Sequence, residues 1–241
     1  MKFACFDLEI AKEFPNNFGS WEKYSPLGIT CAALAFSDND EIKIWKGIPQ
    51  LSKDETVDLV NMLLEFHNGG YKIVTWNGTS FDFHVLAQES GLYDICGQLA
   101  LNHFDMMLWV TFQVGYYLSL QTALEGSKLK GKKKEVTLKN GTVIYNMDGA
   151  KAPSFWAKGE YDAVLEYLKE DVRQPLLLIK KIIETKRIKW TSKNGKIQFV
   201  IMEDIKTVNE CFSYPIPDTS WMKNPPKRED FIKWIPPQIK T

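Results

Sequence analysis

An α/β fold, a mixed β-sheet flanked by helices, is predicted by three observations on this sequence. Short segments rich in aromatic and β-branched residues dominate its first half, and two of them are joined by the tight turn Asp38-Asn39-Asp40. Helical periodicity appears between strands at 53–67 and 81–90, and returns late in one long run from about 160 to 185. Strands linked by tight turns pair antiparallel while those separated by helices can pair parallel, so the order implies a mixed sheet. With 241 residues and 44% hydrophobic content, the chain can bury a sizeable core around that sheet.

Taken in order, Phe3–Glu9 alternates weakly and reads as a buried strand. After a loop containing Pro15, Asn16 and Asn17, Leu27–Phe36 forms the second strand and Glu41–Lys46 the third. In 53–67, Val57, Val60, Leu63, Leu64 and His67 recur at helical spacing, with Ser52 as N-cap. Lys72–Trp76 is a short strand. Asn77-Gly78 turns it into a helix over Phe81–Ser90, capped by Thr79 or Ser80 and stopped at Gly91. Two shorter helices follow near 105–113 and 119–125. A lysine-rich stretch leads to a hairpin, Val136–Lys139 with Thr142–Tyr145, around Asn140-Gly141. The long helix from about Glu160 to Thr185 is expected to be interrupted at Pro175. A second hairpin joins Ile188–Thr191 to Ile197–Met202 through Lys193-Asn194-Gly195. The proline-rich last segment keeps Phe212, Tyr214, Trp221, Phe231 and Trp234, so it is expected to wrap the core.

Composition narrows the class. No run of about 18 apolar residues occurs, which argues against a transmembrane helix. Met1 is followed too soon by Asp7 for a signal peptide. Cys5, Cys31, Cys96 and Cys211 are dispersed, which argues against a zinc site or a disulfide framework and for a reducing, cytoplasmic setting. Residues 1–100 hold 7 lysines against 14 acids, and residues 101–241 hold 23 basic residues against 16 acids. That segregation fits a nucleic-acid surface on the later part of the chain, or simply uneven solvated charge.

Three distant segments carry acids. Asp7 and Glu9, two apart on the first strand, project from one face. Side by side near a buried strand end they repel, unless a hard, oxygen-preferring cation such as Mg²⁺ or Mn²⁺ joins them; two solvated acids are the plainer alternative. Asp82 lies in the first turn of a helix, where an acid also suits the helix dipole. Tyr167 and Asp171 are four apart on one helical face and can point at one centre, or lie at its flank.

Taken together, Phe6-Asp7-Leu8-Glu9, Asn77-Gly78-Thr79-Ser80-Phe81-Asp82 and Tyr167-Leu168-Lys169-Glu170-Asp171 resemble the three motifs of the DEDD superfamily of 3′→5′ exonucleases. The tyrosine four residues before the last aspartate resembles the DEDDy type; the DEDDh type has histidine five before it, where this chain has Glu166. Leu118-Ser119-Leu120 and Gly159-Glu160-Tyr161-Asp162 extend the likeness to stand-alone relatives of the exonuclease domain of family B DNA polymerases. The resemblance covers residues 1–186 and implies a ribonuclease-H-like core. Residues 187–241, a C-terminal hairpin and a tail rich in proline and aromatics, are expected to pack on it. Ile10 departs from the family, which often has Thr or Ser there.

The resemblance implies a two-metal hydrolysis of phosphodiesters, with two Mg²⁺ or Mn²⁺ ions about 3.5–4 Å apart. Asp7 would bind both ions, Glu9 and Asp171 the ion carrying the attacking water, and Asp82 the second; Tyr167 would orient the water. Leu8, Ile10, Asn77 and Phe81 would flank the substrate. Lys128, Lys130, Lys132, Lys133 and Lys134, and a second group from Lys180 to Lys196, suit phosphate contacts or are solvated charge; Trp156 and Trp190 are candidates for base stacking. The expected substrate is single-stranded DNA with a 3′ end, releasing nucleoside 5′-monophosphates, with a DNA polymerase or a replication or repair protein as a possible companion. RNA as substrate, or a non-catalytic nucleic-acid-binding module, are the alternatives.

Overall fold

The computed structural model describes residues 1–15, 19–131, 135–145 and 147–240. Asn16 and Asn17 of the expected loop, and Lys132, Lys133 and Lys134 of the lysine cluster, lie outside them. The main sheet is built from β1 (Lys2–Ile10), β2 (Ile29–Phe36), β3 (Ile42–Lys46), β4 (Tyr71–Thr75) and β5 (Phe104–Asp105), in the order β3-β2-β1-β4-β5. β2 pairs antiparallel with β1 and β3, while β1–β4 and β4–β5 are parallel, so the sheet is mixed. β2 is buried along its whole length, as a central strand covered on both faces requires.

Helices cover both faces. α1 (Lys53–Asn68) carries a complete capping box, Ser52 with Glu55, and packs with α2 (Asp82–Ser90) and α3 (Tyr93–Asn102). Phe6 of β1 meets Phe83 of α2 on this side. On the other side α7 (Tyr161–Thr185) lies across β1 and β2. Between them come α4 (Met106–Val114), α5 (Leu120–Gly126), the small hairpin β6 (Val136–Thr137) with β7 (Val143–Ile144), and α6 (Ala152–Ala157). After α7 follow the hairpin β8 (Arg187–Thr191) with β9 (Ile197–Ile201) and the short α8 (Val208–Cys211).

Several expectations need correction. α7 runs without interruption through Pro175. Proline there removes only the bond to the Asp171 carbonyl, and the buried stripe through Val164, Leu168, Val172, Ile179 and Ile182 holds the helix against the sheet. Neither Thr79 nor Ser80 caps α2; their hydroxyls go to Asp105 and Asn77, and Phe81 occupies the N-cap position. α3 was not expected; it contains Gly97, a weak helix former. That glycine is where Ile235 of the tail packs: a Cβ would come within 2.9 Å of the Ile235 Cγ2.

The tail packs on the core. The Trp234 indole N–H donates to the Thr79 carbonyl (2.9 Å), its ring stacks on His84 (5.0 Å between centroids), and Phe231 and Ile235 are buried. Arg228 donates to the carbonyls of Phe112, Tyr214 and Pro215. Among the described residues no helix is long and apolar enough to cross a membrane.

Candidate metal centre

The register of the sheet creates the site. β4 pairs with β1 only from Lys2 to Cys5, so β1 outruns its parallel neighbour and Phe6–Ile10 keep an open edge on that side. The start of α2 docks there: the Leu8 N–H, which has no strand to pair with, donates to Asp82 Oδ1 at 3.2 Å. Asp7 and Glu9 project toward α7 beside Ala33 and Cys31, their partners on β2. Those two side chains are small, which leaves room for carboxylates under a helix. The register shifts between Glu9 and Ile10, and the Thr30 hydroxyl donates to the Glu9 carbonyl (3.0 Å).

α7 delivers the remaining groups. Tyr167 and Asp171 lie on its buried stripe, whereas Glu166 sits on the outer face, paired with Lys169. One oxygen each from Asp7, Glu9 and Asp171 come within 4.8 Å of one another, with Glu9 and Asp171 only 5% exposed. Carboxylates this close and this dry repel strongly, and a donor set of oxygens alone suits a hard divalent cation. The residues present therefore fit the metal expected from the sequence.

Asp82 is held by a buried network. Asn77, at φ 74°, and Gly78, where a Cβ would fall 2.5 Å from Thr75 Oγ1, make a turn open to few other residues. Asp105, fully buried, accepts from the N–H groups of Asn77 (2.9 Å) and Thr79 (3.0 Å) and from the Thr79 hydroxyl, and also caps α4. Behind it, His103 Nδ1–H donates to the Ala100 carbonyl, so Nε2 accepts from the Thr75 hydroxyl at 2.9 Å. Burial pushes Asp82 up to about 7; backbone N–H groups, including that of Leu8, oppose the rise, and the charge of Asp105 adds to it. Tyr167 is raised well above the ordinary phenol, first by burial and then by Asp171, Glu9 and Asp7. An ordinary phenol already keeps its proton near neutral pH, so the hydroxyl is a hydrogen-bond donor there.

Asp7, Glu9, Asp82, Tyr167 and Asp171 line one cleft of about 520 Å³, together with Leu8, Ile10, Asn77 and Phe81. Lys128 and Lys130 are exposed and do not line it. Trp156 and Trp190 are buried and not free to stack on bases; the Trp156 N–H donates to the carbonyls of Gly47 and Pro49. Sequence reasoning missed Lys12, which lines the cleft, and Gly149, where a Cβ would sit 3.8 Å from Glu9 Oε2. It also missed Asp105, whose one sequence signal, an acid just before the apolar run Met106–Val110, marks a helix start and not a link to residues 77–79.

Comparison with known proteins fits this geometry. A family model described as RNase_H superfamily matches residues 23–183, from just before β2 to the end of α7. Asp7 and Glu9 precede the matched span, so their place in the centre rests on the geometry above. No curated protein matches the sequence. The family points to a metal-dependent, nuclease-like activity on nucleic acid, in keeping with the acidic group. Mixed sheet, flanking helices and a match over most of its length lead to one assignment: the chain belongs to the ribonuclease H superfamily.

Proposed function

We propose that this protein is a DEDDy-type 3′→5′ exonuclease that hydrolyses single-stranded DNA to nucleoside 5′-monophosphates. The observation that carries the reading is the convergence of Asp7, Glu9 and Asp171 within 4.8 Å, on two elements far apart in sequence, with Tyr167 and Asp82 lining the same cleft. A chance scatter of surface acids would not converge in a buried position. Residues 1–186 form the catalytic core in this reading, and residues 187–241 a packed extension.

Asp7, Glu9 and Asp171 would hold one divalent cation, and Asp7 with Asp82 a second. Such ions, when bound, acidify a water and stabilise charge on the leaving oxygen. The chain's own groups do the rest. Tyr167 is a poor base near neutral pH, since an ordinary phenol titrates near 10. It donates a hydrogen bond and so fixes the orientation of the attacking water. Leu8, Ile10 and Phe81 give the cleft apolar walls, against which a terminal nucleotide is placed and water excluded. Ile10 offers no hydroxyl to the sugar, so polar contacts there fall to the backbone and to Asn77.

The test is degradation of matched 5′-labelled single strands of DNA and RNA with Mg²⁺, Mn²⁺ or EDTA. A metal-dependent ladder shortening from the 3′ end, stronger on DNA, is the expected result. Shortening from the 5′ end or internal cutting would overturn the polarity, a stronger RNA ladder the sugar, and binding without cleavage the enzymatic reading.

A further inference from the structure

The β8–β9 hairpin presents a face that the metal centre does not use. Ile188, Trp190 and Val200 are buried beneath it, where α5 packs on β8. Alternation turns the other residues outward: Arg187, Lys189 and Thr191 lie opposite Ile201, Phe199 and Ile197 in register. Ile197 is 74%, Phe199 49% and Ile201 51% exposed, an aligned apolar row on a sheet face. Scattered apolar residues on a surface are ordinary, but a contiguous row in a rim of charge marks a contact surface. Here the rim is cationic: between Arg187 and Ile201 the chain has four basic residues and no acid, and the Arg187 guanidinium lies 5.0 Å over the Phe199 ring.

At Gly126, which ends α5, an added Cβ would fall 2.0 Å from the Lys189 carbonyl oxygen, so the two backbones touch. From that contact the chain passes directly to Lys128, in the left-handed region at φ 58°, and to Lys130, both exposed. Lys128 and Lys130 thus follow a contact with the hairpin's backbone, beside α5 on its covered side.

We propose that this hairpin face binds an unpaired segment of nucleic acid, with Phe199 stacking on a base and the surrounding cations on phosphates. The proposal rests on the reading of the chain as a nucleic-acid hydrolase. Charge selects the occupant: a cationic hairpin with no acid from Arg187 to Ile201 favours a polyanion, and an exposed ring between apolar neighbours favours one with accessible base faces, hence a single strand.

Anisotropy of a fluorescein-labelled 20-nucleotide thymidine oligomer, measured in EDTA, tests it. Phe199→Ala should weaken binding about fivefold or more, and Phe199→Tyr should restore it. Lys189→Ala with Lys193→Ala should lower the slope of log affinity against log salt by about 1.4. Ile216→Ala, at an exposed apolar position on the tail, should change nothing. Wild-type affinity in both patch variants, absence of binding by the wild type, or a wild-type dimer that Phe199→Ala dissociates would each overturn the proposal, the last by showing a second copy as occupant. Wild-type hydrolysis of a small chromogenic thymidine phosphodiester with Mn²⁺ is read separately. Its absence, with patch-dependent binding intact, removes the nuclease reading and leaves this one standing.

Discussion

At the acidic centre, charges of one sign are crowded, largely buried and aimed by a strand, a turn and a helix. On the hairpin, charges of the other sign are spread out, exposed and carried on flexible stems. The first arrangement costs stability, since burial and repulsion both disfavour ionised carboxylates. It persists because the surrounding fold over-determines it: Leu8 anchors Asp82, Asp105 anchors the turn, and the sheet anchors Asp7 and Glu9. The second arrangement costs little and fixes little. Positioning for chemistry requires rigid, desolvated groups, whereas holding a polyanion requires charge that can follow it.

Variants break the comparison at its strongest point first. Asp7→Asn should abolish metal-dependent hydrolysis, by roughly 10³-fold or more, and remove the rise in Tm on adding Mn²⁺. The same variant in EDTA should melt higher than wild type, because a repelling charge is gone; a lower Tm would mean that Asp7 is held by favourable contacts instead. Next comes Asp105→Ala, which strips partners from Asn77, Thr79, Met107 and Leu108 and should cost about 3 kcal/mol in urea denaturation. Tyr167→Phe should slow hydrolysis about 10- to 100-fold while the metal-induced rise in Tm survives, which separates orientation from metal binding.

The smallest effect is one of pH. Burial lowers His103 to about 4, whereas an unfolded histidine titrates near 6.5. Below pH 6.5 the unfolded chain takes up a proton that the folded one refuses, so this contribution to stability is lost as pH falls and levels off below about 4. Between pH 6.5 and 5 this loss should be about 1–2 kcal/mol, read as the change in the difference between the urea midpoints of wild type and His103→Gln, because the raised Asp82 carboxyl shifts stability the opposite way in the same window.

Legibility in the sequence followed the same division. Asp7 with Glu9 and Tyr167 with Asp171 were readable because strand and helix periods set which residues share a face, and Asn77-Gly78 because its turn chemistry is demanding. The mixed sheet followed from the order of elements. What stayed hidden depends on contacts between distant segments: Asp105 reaching residues 77–79, Gly97 yielding to Ile235, and Trp156 and Trp190 turning inward while Phe199 turns out. Sequence spacing identifies aromatics near lysines but not which side of a two-stranded ribbon faces water.

The position of β1 also bears on the order of assembly. Its hairpin-like pairing with β2 closes within the first 36 residues, whereas α7 returns only from residues 161–185. Closing so long a loop costs entropy before any contact offsets it. If α7 docks last, Asp7 and Glu9 stay hydrated until then and the repulsion with Asp171 falls in that step. In EDTA, Asp7→Asn should refold faster than wild type by stopped-flow fluorescence, and Mn²⁺ should narrow the gap; equal rates without metal would place the docking of α7 after the barrier. The carboxylates crowded at the metal centre are, on this account, also the ones that delay completion of the fold.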